Sequence, residues 1–527
     1  PGDQASVGPH IDAGFYGAHG VTAADELVSR RTETSYTFHR PSDGLDISVL
    51  SVGSVNFQDP MGLWQPIDPT LRPSETGWIN ETHSFTTELG ATSDQGLTVR
   101  DGDWWIHWQP TDRVIDDEVL AGRPIAPSVD GSTASFSETW LDTSESLSID
   151  SWGIKHDIVL EAPPPGIGDV AFAGRLTTHA GLTPSIDGVP IDGPFDTTGR
   201  IDFLDAEGEQ LFRLDAPVAY ELADTADGTA IRYVGEVRAD GSMDLSVVTP
   251  AAWLRDPARS WPVVIDPIIE ASIGAILGTY PLVRVGNCTS GALFRGDNSS
   301  LLRVGFIDNV GVAADFCYRA TFKFTTVAIP DIGLILQTEV NADVDISSGF
   351  NDLDFVRVGA PTDPEGMTDA SLWNAIGPGG VEYLSDYVPP LFSWFDDFVT
   401  QTGVVLGPTM NSDLQALLPQ DWIAVGLHVG DHITEFDGDG SGDSYLELVR
   451  IGLGNQPQMY VTYDSIPVEF QDTCFDGFDN EPDGLADCAD ADCDLLFQAC
   501  GSDVGECSPG TETCTGGVLG SCTGAQG

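Results

Sequence analysis

Lysine is almost missing from this chain. Its 527 residues include 22 basic side chains, and only Lys155 and Lys323 are lysines; against them stand 82 acidic residues, for a formal net charge of −60. Such a surface is repelled by nucleic acid and by anionic lipid, so neither is an expected partner. The first 287 residues contain no cysteine, so no disulfide holds that part together. Nowhere do 18 apolar residues run together, so no membrane-spanning helix is expected. Several chemical signatures are also absent: Gly-x-Ser-x-Gly, His-Glu-x-x-His, a phosphate-cradling Gly-x-x-x-x-Gly-Lys and a dinucleotide fingerprint. Carboxylates are too numerous for counting to single out a glycosidase pair, which needs two carboxyls about 5–9 Å apart in a cleft. No enzymatic activity is expected. The chain opens at Pro1 without an initiator Met or a signal sequence, which reads as a processed chain or a fragment.

What is present is β-forming. Apolar residues make up 41%, the usual share for a folded protein, with 59 Gly and 34 Pro. Short strands joined by tight turns follow from that composition. The fold class expected is all-β: two jelly-roll-like β-sandwich domains in series, then a small tail stapled by calcium and disulfides. The boundaries read as a lead-in at 1–31, an N-terminal sandwich at 32–266 and a second sandwich at 267–465. An Asp-rich repeat at 466–498 and a Cys-rich tail at 499–527 follow.

Local patterns carry these assignments. Between residues 32 and 266, Asp-Gly pairs begin at Asp43, Asp101, Asp130, Asp187, Asp192, Asp227 and Asp240, and such pairs support positive φ in hairpin turns. Ile201 and Phe203 alternate with polar residues, as do Phe212 and Leu214, which predicts a hairpin around Asp205–Glu209. Met459, Val461 and Tyr463 alternate likewise and predict the last strand of the second sandwich. One short helix is expected over Asn411–Leu418, capped by Asn411 or Ser412. Glycines at 2, 8, 14, 17 and 20 make the lead-in read as extended or weakly ordered.

The nine cysteines are Cys288, Cys317, Cys474, Cys488, Cys493, Cys500, Cys507, Cys514 and Cys522. Seven fall in the last 54 residues, the pattern of disulfide-stapled modules made in an oxidising compartment, so an extracellular or cell-surface location is expected. Zinc is the competing reading; the irregular spacing, and Asp and Gly between the cysteines without His, weigh against it. Cys288 and Cys317 stand alone in the second sandwich and are expected to pair. The odd count implies a partner beyond Gly527 or in another chain.

The strongest site signal is a twelve-residue calcium loop counted from Asp479. Calcium takes six to eight oxygens, drawn from loop positions 1, 3, 5, 7, 9 and 12 with Gly at 6. Those positions hold Asp479, Glu481, Asp483, Leu485 through its carbonyl, Asp487 and Asp490, with Gly484 at the turn. No helices flank it, so a disulfide-framed loop is expected, not an EF-hand pair. A second run, Asp437, Asp439, Ser441 and Asp443, fits the first half of such a loop. Tyr445 and Leu448 then break the pattern, and a glycine-rich hairpin tip is the alternative. Trp394 and Phe395 are candidate sugar-stacking residues on a loop. Trp104, Trp105 and Trp108 read instead as a strand with aromatics on both faces, and His107 and His156 as structural.

Three stretches carry resemblances. Trp64-Gln-Pro-Ile-Asp68-Pro-Thr-Leu71 and Trp261-Pro-Val-Val-Ile-Asp266-Pro267 make the first domain resemble the region preceding wall-associated and Rhs-type repeat proteins of bacteria. Tyr318–Phe324, Ala328-Ile-Pro330 and Pro457–Tyr463 make the second similar to a DNRLRE-type β-sandwich, although 268–282 lacks the usual Asp-Thr-Tyr opening. The spacing from Cys474-Phe-Asp-Gly-Phe-Asp-Asn480 through Asp483-Gly484, Asp487-Cys488 and Asp492-Cys493 to Cys522 resembles the Asp/Cys-rich repeats of myxobacterial surface proteins. Together they imply an extracellular calcium-binding surface protein. Three roles fit: a binder of polysaccharide or of another surface protein; a self-associating subunit of an extracellular fibre or coat; and the shell or delivery region of a larger Rhs-like toxin.

Overall fold

A computed structural model of the chain describes residues 11, 13–116, 118–150, 153–222, 224–271, 279–286, 291–295, 301–307, 316–348, 353–358, 362–377, 381–387, 399–429, 444–449, 456–465, 487–489, 497–500 and 510–524. The fold is all-β, with antiparallel sheets and a few short helices, as the composition predicts. It divides into a large unit, residues 1–329 with 335–463, and a small one, residues 330–334 with 464–527.

Two sheets form the first sandwich. One runs Pro194–Thr197, Arg232–Val237, Met243–Thr249, Val170–Thr178, Trp104–Ile115, Leu97–Asp101, Thr86–Gly90, Gly77–Asn80 and Arg72–Pro73. The other runs Ser128–Asp130, Thr133–Trp140, Thr143–Ile149, Gly153–Leu160, Ile268–Glu270, Gln210–Leu214, Ile201–Leu204, Thr183–Ile186 and Val189–Pro190. Period-2 alternation sends Ile106, Trp108, Phe172 and Leu176 from the first sheet, and Ile154, Ile158, Phe203 and Phe212 from the second, into one core. The expected hairpin forms: Ile201 pairs with Leu214 and Phe203 with Phe212. Asp205 Oδ1 closes its turn by accepting from the backbone N–H groups of Glu207 and Glu209. Asp187-Gly188 forms a two-residue turn between Ile186 and Val189, with φ of 52° and 75°. Both positive values suit Asp and Gly and match the twist of a hairpin.

The second sandwich is one continuous hydrogen-bonded path: Ser35–Arg40, Leu45–Ser51, Gln458–Asp464, Leu334–Ser348, Ser444–Val449, Leu301–Ile307, Phe316–Thr325, Trp422–Val429, Leu353–Arg357 and Glu382–Tyr387. Leu50 near one end and Phe355 near the other share a core with Phe322, Val425 and Met459, so the sheet folds over on itself.

Here the domain boundaries differ from expectation. The first two strands belong to the second sandwich: Asp46 through Ser51 pair with Tyr463 through Gln458. Residues 35–51 alternate like any half-buried strand, and local pattern does not say which distant strand they join. The first sandwich also continues past Asp266. Pro267 lacks an N–H, but its carbonyl accepts from His156 N, and Ile268–Glu270 resumes pairing with Gly153–Lys155. The lead-in is not uniformly extended. Residues Ala13–His19 form a helix whose Phe15, 2% exposed, packs on Phe38 and Tyr460. That helix packs on Tyr460 on the second face of Gln458–Asp464, and Gln458 and Tyr460 are buried along with Met459 and Val461. The closing strand is therefore central and covered on both sides.

The expected helix begins earlier than its proposed caps, at Pro408–Leu417. Proline suits the first helical position, where no N–H is needed. Asn411 and Ser412 lie inside it; Asn411 donates to the Leu336 carbonyl and Ser412 to that of Pro408. A second helix, Asp369–Ala375, is capped by Thr368, whose side chain accepts from Ser371 N.

In the small unit, Phe497–Cys500, Gly510–Thr515 and Val518–Leu519 form a three-stranded sheet. Disulfides join Cys488 to Cys514 and Cys500 to Cys522. The expected division at 498/499 falls inside a strand, and the first bridge ties the Asp-rich repeat to the Cys-rich tail.

Candidate functional site

The acidic loops come first because the sequence singles them out. Asp479, Glu481, Asp483, Leu485 and Asp490 lie outside the described residues. Asp487 opens a 3-10 turn, Asp487–Ala489, whose central Cys488 is buried and bridged to Cys514. One end of the expected calcium loop is thus anchored covalently. Asp437, Asp439, Ser441 and Asp443 also lie outside the described residues, between two described strands. Trp422–Val429 pairs with Phe316–Thr325 and Leu353–Arg357, whereas Ser444–Val449 pairs with Leu301–Ile307 and Leu334–Ser348. The two flanking strands are not paired with each other.

Trp394 and Phe395 lie outside the described residues as well. Cys317 is buried and disulfide-bonded; Cys288, its expected partner, lies outside them, as do Cys474, Cys493 and Cys507. Among the described residues no group of three or more His, Cys, Asp or Glu side chains is placed to hold a metal ion.

The tryptophan strand is as expected, with aromatics on both faces. Ile106 and Trp108 point into the sandwich, and Trp108 lies against Gly174, where a Cβ would fall 2.3 Å from its ring. Trp104 meets His179 edge-on at 4.7 Å. His107 Nδ1 is 2.9 Å from Thr98 Oγ1, and burial lowers its pKa. Inside the core, His156 Nε2 lies 3.1 Å from Glu145 Oε1. Both histidines are structural.

The site that the sequence did not announce lies on the outer face of the first sheet. A groove of about 630 Å³ crosses the strands Trp104–Ile115, Val170–Thr178, Met243–Thr249 and Arg232–Val237. Three inter-strand spacings make it about 14 Å wide. Pairing sets its floor: Asp112 lies beside Ala173, Ala173 beside Ser246, and Ser246 beside Val234. The next row is Gln109, Arg175, Asp244 and Glu236. The small Ala173 side chain makes the depression, and longer polar chains stand around it.

Charge in the groove is arranged in part. Arg175 donates to Asp244 Oδ1 at 3.1 Å and Arg238 Nε to Asp244 Oδ2 at 2.8 Å. The Arg238 hydrogen bonds, and then those of Arg175, hold the Asp244 carboxyl below its ordinary pKa, so it is ionised near neutrality. Thr111 donates to the Ala173 carbonyl and Gln109 to that of Asp94. Among the described residues, Asp112 and Ser246 have no side-chain hydrogen-bond or ion-pair partner, so both can bind a guest. Hydroxyl, carboxylate and guanidinium groups converging on an open cleft can exchange hydrogen bonds with a polyol. The sequence signal was slight: Ala171 and Ala173 take outward positions on a strand where longer polar residues are usual.

No protein-family model matches this chain, and no curated protein does. A solved polysaccharide lyase is similar to it at 11% identity with a TM-score of 0.20, over 46% of this chain and 44% of that one, a likeness too slight to carry any argument about fold or function.

Proposed function

We propose that the chain is a non-enzymatic extracellular surface protein that binds a neutral polysaccharide in the groove around Ala173. The observation that carries this reading is the groove itself, a wide, partly polar cleft on the outer face of a sheet, with Asp112 and Ser246 at its floor. Neutral chains are favoured because a polyanion would meet a net charge of −60. No aromatic side chain lines the groove, so recognition rests on hydrogen bonds, and affinity grows with the number of sugars engaged. Two disulfides in the small unit support an oxidising, extracellular setting. Calcium is the proposed cofactor of the tail, held by Asp479, Glu481, Asp483, Leu485, Asp487 and Asp490. The resemblances to wall-associated, DNRLRE-type and myxobacterial surface modules support the same reading.

Affinity electrophoresis through gels containing neutral or acidic polysaccharides tests it. Retardation by at least one neutral polymer, weaker or absent with acidic ones, is the expected result. Unchanged mobility in every gel would overturn the reading.

The fibre reading draws less support. Three of the four strands that end the sheet paths of the first sandwich, Arg72–Pro73, Val189–Pro190 and Pro194–Thr197, carry a proline, which blocks pairing with another chain. The helix Ala13–His19 packs on its own chain and is not an arm held out to a neighbour.

A further inference from the structure

The chain keeps two lysines among 22 basic residues, and one of them sits in a half-closed cluster of acids. On the outer face of the second sheet of the first sandwich, Lys155 Nζ lies 3.1 Å from Asp157 Oδ1, 3.6 Å from Asp266 Oδ2 and 3.0 Å from the Tyr220 hydroxyl. The geometry follows from pairing. Lys155 and Asp157 are two residues apart on Gly153–Leu160, and Val159 of that strand pairs with Val264, two residues before Asp266. Tyr220 pairs with Val264 from the other side. Only 7% of the Asp266 side chain is exposed, and its Oδ1 is buried without a hydrogen-bond partner.

An arginine would serve an ion pair here as well or better, and this chain uses arginine in most of its described ion pairs. What lysine alone offers is a nitrogen that becomes a nucleophile once it loses a proton. Asp266 supplies the complementary half. Burial pushes its carboxyl up to about 7 against the opposing pull of Lys155, so a large share of it is the neutral acid near neutrality. Asp157, beside both, can move protons between them.

We propose that Lys155 and Asp266 join in an intramolecular amide bond, a covalent staple for a sandwich that has no disulfide. Asp157 takes a proton from the Lys155 ammonium, and the freed Nζ attacks Asp266 Cγ. Asp157 passes that proton to the departing Asp266 hydroxyl, which leaves as water, and takes a second proton from the new amide nitrogen. One N–C bond forms, one C–O bond breaks, one water is released, and Asp157 ends protonated; no oxidant or other reagent enters. Holding the two groups together is worth an effective concentration of about 10⁵–10⁸ M, and burial keeps water from reversing the step. Burial opposes the ammonium charge, but Asp266 and Asp157 outweigh it and hold the Lys155 pKa above the ordinary lysine range. Proton removal by Asp157 is therefore the slow stage. The staple would tie the strand Gly153–Leu160 to Val263–Asp266, near the end of the first sandwich.

The test is peptide mapping and mass analysis of the full chain, reduced and denatured after days at neutral pH. The expected result is a loss of one water, no tryptic cleavage after Lys155, and a branched peptide joining Lys155 to Asp266. Lys155→Arg should keep the ion pairs and show the full sequence mass; Asp157→Asn should slow the loss. Full mass with free cleavage after Lys155 in the unmutated chain would overturn the proposal. So would a water loss that persists in Lys155→Arg, since it would then arise elsewhere, as from cyclisation at an Asp-Gly pair. The mapping of the unmutated chain decides the matter even if a variant does not fold.

Discussion

Phe15→Ala should loosen the second sandwich from a position that the sequence placed in a weakly ordered lead-in. Phe15 is 2% exposed, and its ring centroid lies 5.3 Å from that of Phe38 and 5.0 Å from that of Tyr460. Truncating a buried Phe typically costs about 3–5 kcal/mol, through lost transfer energy and the cavity left behind. The helix it belongs to has seven residues, well under the roughly 12–15 at which an isolated helix becomes marginal, so packing alone keeps it formed. Losing that anchor should release Ala13–His19 and open one face of Gln458–Asp464. The assay is amide hydrogen exchange read segment by segment. Exchange should rise at 458–464 and 36–49, while the hairpin 201–214 in the first sandwich stays protected. A stability loss under about 1 kcal/mol, or unchanged protection at 458–464, would refute this account of what the first helix does.

Other expectations follow from the same structure. Replacing Cys488 and Cys514 together by Ser removes a bridge spanning 26 residues, and the chain-entropy estimate puts the loss at about 3.5 kcal/mol for the small unit, readable by limited proteolysis. Chelator, or Asp483→Ala, should abolish exchange protection around Asp487–Ala489 and leave both sandwiches folded; retained protection there would refute calcium as the tail's cofactor. Glu270 is buried, and desolvation, aided by the Asp215 charge and opposed by Arg213, raises its pKa above the ordinary value. A raised acid contributes stability that is full below its unfolded pKa and is lost as pH rises through its folded value. Glu270→Gln should therefore flatten the fall in first-sandwich stability above about pH 4.5, and an unchanged slope in denaturant titrations would refute that assignment.

Local structure was legible in the sequence where the chain interacts with its near neighbours. The 201–214 hairpin, the Asp187-Gly188 turn and the strand 458–464 stand where alternation and turn chemistry put them. Pairing between distant segments was not legible. Leu45–Ser51 joins Gln458–Asp464 across more than four hundred residues, and nothing in the alternation of either strand names the other. The helix 13–19 was hidden by Gly14 and Gly17, residues that disfavour helices and are overruled here by the packing of Phe15. The groove was illegible for the same reason as the pairing. Asp112, Ala173, Ser246 and Val234 come from four separate strands and form a floor only once those strands lie side by side.

Titration calorimetry of the chain and of Ala173→Trp, with oligosaccharides from whichever neutral polymer retards the chain, tests the central claim most directly. Ala173 faces outward, so an indole there fills the groove and leaves the core beneath it intact. Measurable binding by the unmutated chain, lost in a variant with an unchanged melting temperature, is the predicted result. Equal binding by both proteins would contradict the assignment of the groove as the polysaccharide site.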